Sequence, residues 1–201
     1  MADRITDSEN RMKLVGDMAV SGVGHGVLLE GSGFVYRGVL SLKENPSGKI
    51  DSTLLRPDGS MASGPFVVSS RETNNNGKQG TFSEVSWLDE NGKVLQTRTT
   101  QIDGPAGDPN SHVTKESKQP DGKVLLHEEG SCNKSTCSMT ITDGDGKVLA
   151  TSATFEKRAE NELKVLASYT DPSGKHIGSA GADLEIRKDN KRAAGVITTF
   201  E

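Results

Sequence analysis

The sequence predicts an all-β fold: an antiparallel meander of about twelve to fourteen strands, closed or strongly curved into a barrel. Three observations predict it. One kind of turn recurs six times along the chain. The runs between turns are rich in Val and Thr and alternate in polarity, with no sustained i, i+3, i+4 spacing. Rings are scarce, with five Phe, one Trp and two Tyr in 201 residues, so a core must be built from Val, Leu, Ile and Ala.

The recurring turn reads Asn/Asp/Ser-Gly-Lys. It occurs at Ser47-Gly48-Lys49, Asn76-Gly77-Lys78, Asn91-Gly92-Lys93, Asp121-Gly122-Lys123, Asp145-Gly146-Lys147 and Ser173-Gly174-Lys175. Asn-Gly and Asp-Gly suit two-residue hairpin loops in which both central residues take positive φ. Pro46, Pro120 and Pro172 stand before three of the copies and favour turn entry. The Gly-to-Gly intervals are 29, 15, 30, 24 and 28. One strand plus one turn takes roughly 8–15 residues, so an interval of 15 is one strand step and the longer ones are two. The chain therefore reads as a meander whose turns alternate between two edges.

The elements follow in order. Residues 1–10 are polar and charged and are expected to fray; residues 11–201 read as a single all-β domain. Strand-like runs are Gly33–Leu42, Pro65–Ser70, Thr81–Leu88, Val94–Ile102, Val148–Phe155 and Leu163–Tyr169. Asp103 to Asn110 is the longest loop. Arg158–Leu163 is the one place where a helical turn fits, although Ala159-Glu160-Asn161 also reads as a turn. Ala193 to Phe200 is a strand expected to be tied into the sheet. A meander of this length exposes two edges unless it closes or pairs; a barrel removes them, and a two-sheet sandwich is the second choice. Faces such as Thr97 with Thr99, and Thr151 with Ala153, carry small groups. They suggest small inward side chains and tight packing rather than a wide cavity.

Composition excludes several classes. The net charge is −4 with a pI near 5.6, so the basic footprint of a nucleic-acid binder is missing. Mean hydropathy is −0.54, and no run approaches the 18 or so apolar residues of a membrane-spanning helix. The first residues lack the apolar core of a secretory signal. Cys132 and Cys137 flank four residues in what reads as a hairpin, an arrangement within reach of a disulfide. A bond there implies a secreted or periplasmic protein; free thiols would imply a cytoplasmic one. Asn133-Lys134-Ser135 in the same loop is a glycosylation sequon.

Motifs for chemistry are few. His25, His112, His127 and His176 show no i, i+2 or i, i+4 pairing, so no metal site is read. His127 and Glu129 share a strand face and form the one candidate acid/base pair. Gly22-Val-Gly24-His-Gly26 lacks the helix that would complete a phosphate cradle. No Gly-Lys is followed by Ser or Thr, and Gly-x-Ser-x-Gly does not occur. Asp143-Gly-Asp145-Gly146 opens like a calcium loop, but the next ligand position is Lys147. No cofactor is therefore read. Trp87, Phe34 and Tyr36 are expected in the core or facing a ligand.

The reading is a non-enzymatic β-rich protein acting by surface binding or assembly. The partner would be a protein, a glycan or a small apolar ligand, and self-association is open. One alternative is a barrel holding a small apolar ligand, with Phe34, Tyr36, Trp87 and His127 as candidate contacts. Another is an enzyme with dispersed catalytic residues on a β scaffold.

Overall fold

The computed structural model describes residues 36–56, 58–74, 80–89, 91–104, 111–133, 135–187 and 191–200, together with Met12, Lys13 and Gly16. Twelve strands follow one another: β1 (Tyr36–Glu44), β2 (Ile50–Leu55), β3 (Met61–Asn74), β4 (Gly80–Leu88), β5 (Val94–Asp103), β6 (Ser111–Lys118), β7 (Val124–Cys132), β8 (Thr136–Asp143), β9 (Val148–Ala159), β10 (Glu162–Thr170), β11 (His176–Arg187) and β12 (Arg192–Phe200). Each pairs antiparallel with its sequence neighbour. β1 then pairs with β12, from Tyr36 opposite Thr199 to Lys43 opposite Arg192, and the sheet closes. A closed sheet has no exposed edge, which answers the edge problem the meander raised.

The turn spacing sorts the connections onto two ends. Turns 56–60, 89–93, 119–123, 143–147 and 171–175 follow every even-numbered strand from β2 to β10, so all lie at one end of the barrel. Turn 45–49 and the remaining links lie at the other. The single interval of 15 residues, from Gly77 to Gly92, is the step that crosses between ends; the link 75–79 itself lies outside the described residues.

The turns differ from the expected two-residue type. Each has five residues. In one, the Asp89 amide donates to the Lys93 carbonyl at 2.9 Å and the Gly92 amide to the Asp89 carbonyl at 3.0 Å. Only the glycine takes positive φ, between 80° and 89° at Gly48, Gly59, Gly92, Gly122, Gly146 and Gly174. This is a type I turn followed by a left-handed residue. Proline favours the choice where it occurs: at the second turn position Pro46, Pro120 and Pro172 hold φ near −65°, which a type I turn requires and a two-residue primed loop forbids, while the turns with Glu90 and Gly144 there take the same form. The opening Asx helps as well. Asp171 Oδ1 accepts from the amides of Ser173 and Lys175 at 2.9 and 3.0 Å, and from the Ser173 hydroxyl at 2.6 Å. These bonds, the hydroxyl foremost, hold the Asp171 carboxyl below the usual carboxylate range.

Alternation then decides what faces in. Leu40, Leu42, Ile50, Leu163, Leu184 and Ile186 point into one side of the lumen and are buried. Inward small residues are Ala150, Ser152, Ala167, Ala180, Ala182 and Ala193. Thr151 and Ala153 face outward, and Thr97 and Thr99 lie on the rank opposite buried Arg98. On β9 the small inward side chains, Ala150 and Ser152, are on the parity opposite to the expected one, and on β5 the inward rank holds Gln96 and Arg98 instead. Thr and Ala fit either face, so size alone does not fix register. Residues 158–163 hold the β9–β10 hairpin rather than a helical turn. Helix is found instead at Met12, Lys13 and Gly16. Met12 is fully buried in the core, and Lys13 Nζ donates to the Ala159 carbonyl at 2.8 Å. A Cβ on Gly16 would run into Leu184 Cδ1, so glycine is what lets this segment approach β11.

Candidate functional site

The Cys132–Cys137 disulfide is formed, closing the β7–β8 hairpin with its Cα atoms 4.1 Å apart. That spacing belongs to a directly opposed, non-hydrogen-bonded strand pair. Beneath it on the inward rank of β7 lies Glu128, which accepts from Arg98 Nη2 of β5 at 2.6 Å. The two side chains are only 7% and 3% exposed. Tyr169 of β10 is buried nearby. Burial pushes its hydroxyl well above the usual phenol range, the Glu128 carboxylate adds to the rise, and Arg98 opposes it in part. The Arg98–Glu128 bond ties β5 to β7, and Tyr169 of β10 feels the charge of both.

Outside the wall, β5, β6 and β7 carry a ladder of ionisable groups. His112 Nε2 lies 2.9 Å from Glu129 Oε1 and its Nδ1 is 3.7 Å from Asp103. His127 sits between Glu116 at 3.4 Å and Glu129 at 3.6 Å, and Lys118 holds Glu116 at 2.6 Å. The Lys118 hydrogen bond, followed by that of His127, lowers the Glu116 carboxyl; His112 and then His127 lower that of Glu129. The expected His127–Glu129 pair thus exists, widened by His112 and Glu116. It stands on an open convex face, and His127 lies on the rank opposite Cys132.

A depression of about 640 Å³ lies on the outer wall where β11, β12, β1 and β2 meet. Its shape follows from register. Arg187, Arg192, Lys43 and Asp51 are direct neighbours across the four strands. One outward rank lower come Glu185, Ala194, Ser41 and Thr53, also in register. Short side chains in the second rank form the floor, and the long cations of the first form the rim. Arg187 Nε leans 3.8 Å toward Glu185, and the Asp51 carboxylate accepts from Asn45 Nδ2 at 3.2 Å. Among the described residues Lys43 and Arg192 form no ion pair, although they sit directly opposite each other. Opposed like charges destabilise a strand pair, so this pair is held at a cost in a chain of net charge −4.

A second groove, about 330 Å³, runs over the outer face of β7 to β10 and exposes the cross-strand pair Phe155 and Leu166.

The four ligand candidates from the sequence are placed as follows. Phe34 lies outside the described residues, as does the side chain of Tyr36, whose backbone opens β1. Trp87 faces inward, half-buried against the core cluster. His127 faces outward in the ladder. Trp87 and His127 are therefore on opposite sides of the wall. Sequence reasoning did not single out Lys43, Arg187 or Arg192. The clustered cations of Arg187-Lys188-Asp189-Asn190-Lys191-Arg192 are a visible signal, but Lys43 joins them only through the β1–β12 closure.

No family model matches this chain, and neither a curated protein nor a solved structure does. What the fold itself defines is a closed, twelve-stranded up-and-down barrel with an apolar-and-ionic lumen and a largely polar outer wall.

Proposed function

We propose that this is a non-enzymatic binding protein that holds its ligand on the outer wall, in the trough at the β12–β1 seam. The supporting observation is the opposed Lys43–Arg192 pair, neither member of which forms an ion pair among the described residues, at the rim of a depression floored by Ala194 and Ser41. Desolvating such a pair is favourable only when an occupant supplies the missing charge. The lumen offers less: Leu163, Ile141, Ala150 and Ala180 are fully buried and fill its β8–β11 side. Outward charges such as Lys164, Asp183 and Arg187 stand where a membrane-spanning barrel carries an apolar band. The disulfide supports an oxidising compartment as the place of work.

The test is a titration of the labelled protein with a fragment panel of short carboxylates, phosphate esters, monosaccharides and uncharged apolar rings, followed by amide chemical shifts. Shifts centred on Ser41, Thr53 and Ala194, lost in Ala194→Trp, are the expected result. Shifts centred on the Trp87 indole would overturn the outer-wall site in favour of a lumen ligand. An absence of shifts at the trough for the whole panel would also overturn it.

A further inference from the structure

Resting on that outer-wall reading, we propose that the trough takes a small amphiphilic carboxylate, with its head between Lys43 and Arg192 and its acyl tail lying along the β12–β1 seam toward Val39.

The head site follows from charge and geometry. Lys43 and Arg192 are opposite each other in register, so their side chains rise from the wall about 5 Å apart at the Cβ atoms. Arg192 brings a planar fork that matches a carboxylate, and Lys43 brings a point charge. A single carboxylate between them turns the like-charge contact into two charge-assisted bonds. The flanking groups favour one anion at this place. Arg187 is drawn aside by Glu185 at 3.8 Å, and Asp51 is engaged by Asn45 on the far side. The row thus holds three adjacent cations, Arg187, Arg192 and Lys43, with the Asp51 carboxylate at one end and Glu185 one rank below the other. A large polyanion would meet both of those carboxylates, whereas a small head avoids them.

The tail path follows from the outward ranks of the same two strands. Below the cations, Ala194 and Ser41 are opposed and short, leaving a channel. The next outward rank is apolar: Val196 pairs with Val39, and Val39 pairs with Leu55. Val39 is 45% exposed, one of the largest apolar exposures on the wall. Outward ranks on one strand repeat about every 6.7 Å, so the path from Lys43 to Val39 spans about 13 Å. A medium-length acyl chain covers that distance and removes Val39 from water. Asp183, which borders this rank on β11, is turned toward Lys164 at 3.6 Å.

The probe is decanoate, kept below its micelle concentration, with decanol as the uncharged control. Calorimetry gives affinity and amide shifts give the location. Decanoate is expected to shift Ala194, Ser41 and Val39, and to bind about tenfold more tightly than decanol. The Lys43→Gln/Arg192→Gln variant is expected to lose about tenfold in decanoate affinity while keeping the fold. Removing an opposed like-charge pair leaves its thermal midpoint equal to or above that of the parent. Val39→Ser is expected to weaken decanoate and decanol alike. Decanoate binding that is unchanged by the double substitution, or no tighter than decanol, would overturn the proposal. So would sedimentation with phosphatidylglycerol vesicles in the absence of decanoate binding, which would assign the row to a lipid surface. If other fragments bind at the trough and decanoate does not, the amphiphile is refuted and the outer-wall site stands. If nothing binds there, both fall.

Discussion

Arg98→Met removes the guanidinium that donates to Glu128 at 2.6 Å, in a place where both side chains are less than a tenth exposed. Methionine keeps the length and most of the volume, so the change is mainly electrostatic. Breaking a buried pair by deleting one partner costs about 3–5 kcal/mol, because the remaining charge stays desolvated. Lys115 stands opposite Glu128 in the β6–β7 register, and a second cation in that rank places the expected cost near 3 kcal/mol. Replacing both partners is different. Arg98→Met with Glu128→Leu leaves no buried charge and is expected to recover to within about 1 kcal/mol of the parent. Urea unfolding followed by the fluorescence of Trp87, the single tryptophan, reads both variants. With a slope of about 2 kcal/mol/M, the single variant moves the midpoint down by roughly 1.5 M and the double variant by less than about 0.5 M. A single variant within about 1 kcal/mol of the parent would refute the argument. A double variant as unstable as the single one would do the same.

Tyr169 predicts an alkaline limit. Its folded pKa is raised, so its contribution is complete below the unfolded phenol value near 10 and is lost as pH climbs above it, at up to about 1.4 kcal/mol per pH unit. Absorbance at the phenolate band should show Tyr169 ionising only together with unfolding; ionisation in the folded barrel would contradict its burial. Replacing Cys132 and Cys137 by Ser reopens a short loop of sequence separation 5, with an expected loss of about 2 kcal/mol by chain entropy. Unfolding with and without dithiothreitol should give the same difference, and a reduced protein as stable as the oxidised one would refute it. Met12→Ala should cost about 2–5 kcal/mol if this fully buried side chain belongs to the barrel core. A change below about 0.5 kcal/mol in the urea midpoint analysis would mean the segment is not docked in solution.

Much of the architecture is legible in the turns. Gly48 to Gly174 gave a parity count, and parity is what assigns a meander's turns to its two ends. What local sequence does not carry is the side of the wall each strand face adopts when both faces are small. Thr97 and Thr151 look as suitable for the interior as Ala150 or Ser152. The charged core was illegible for the same kind of reason. Arg98 and Glu128 sit in alternating polar runs that read as solvated, and only closure brings them together. His112 joins His127 through register between β6 and β7. The rim of the trough depends on pairing between the first strand and the last, a contact that no local pattern records. Met12 escaped because a lone methionine beside Asn10, Arg11 and Lys13 carries no local mark of burial.

The seam that carries the trough is also the pairing with the greatest sequence separation in the barrel, since β1 and β12 stand at the two ends of the strand order. Each other pair forms across a hairpin, whereas this one closes a loop containing all the strands between them. Such contacts bear the largest entropic cost and form late. The cationic row and its floor therefore exist only once the barrel has closed. A partly folded chain presents the glycine turns, the disulfide hairpin and the histidine ladder, but not the trough. An occupant that binds there draws on the folding equilibrium and acts as a clasp: it engages only a finished barrel and holds it shut.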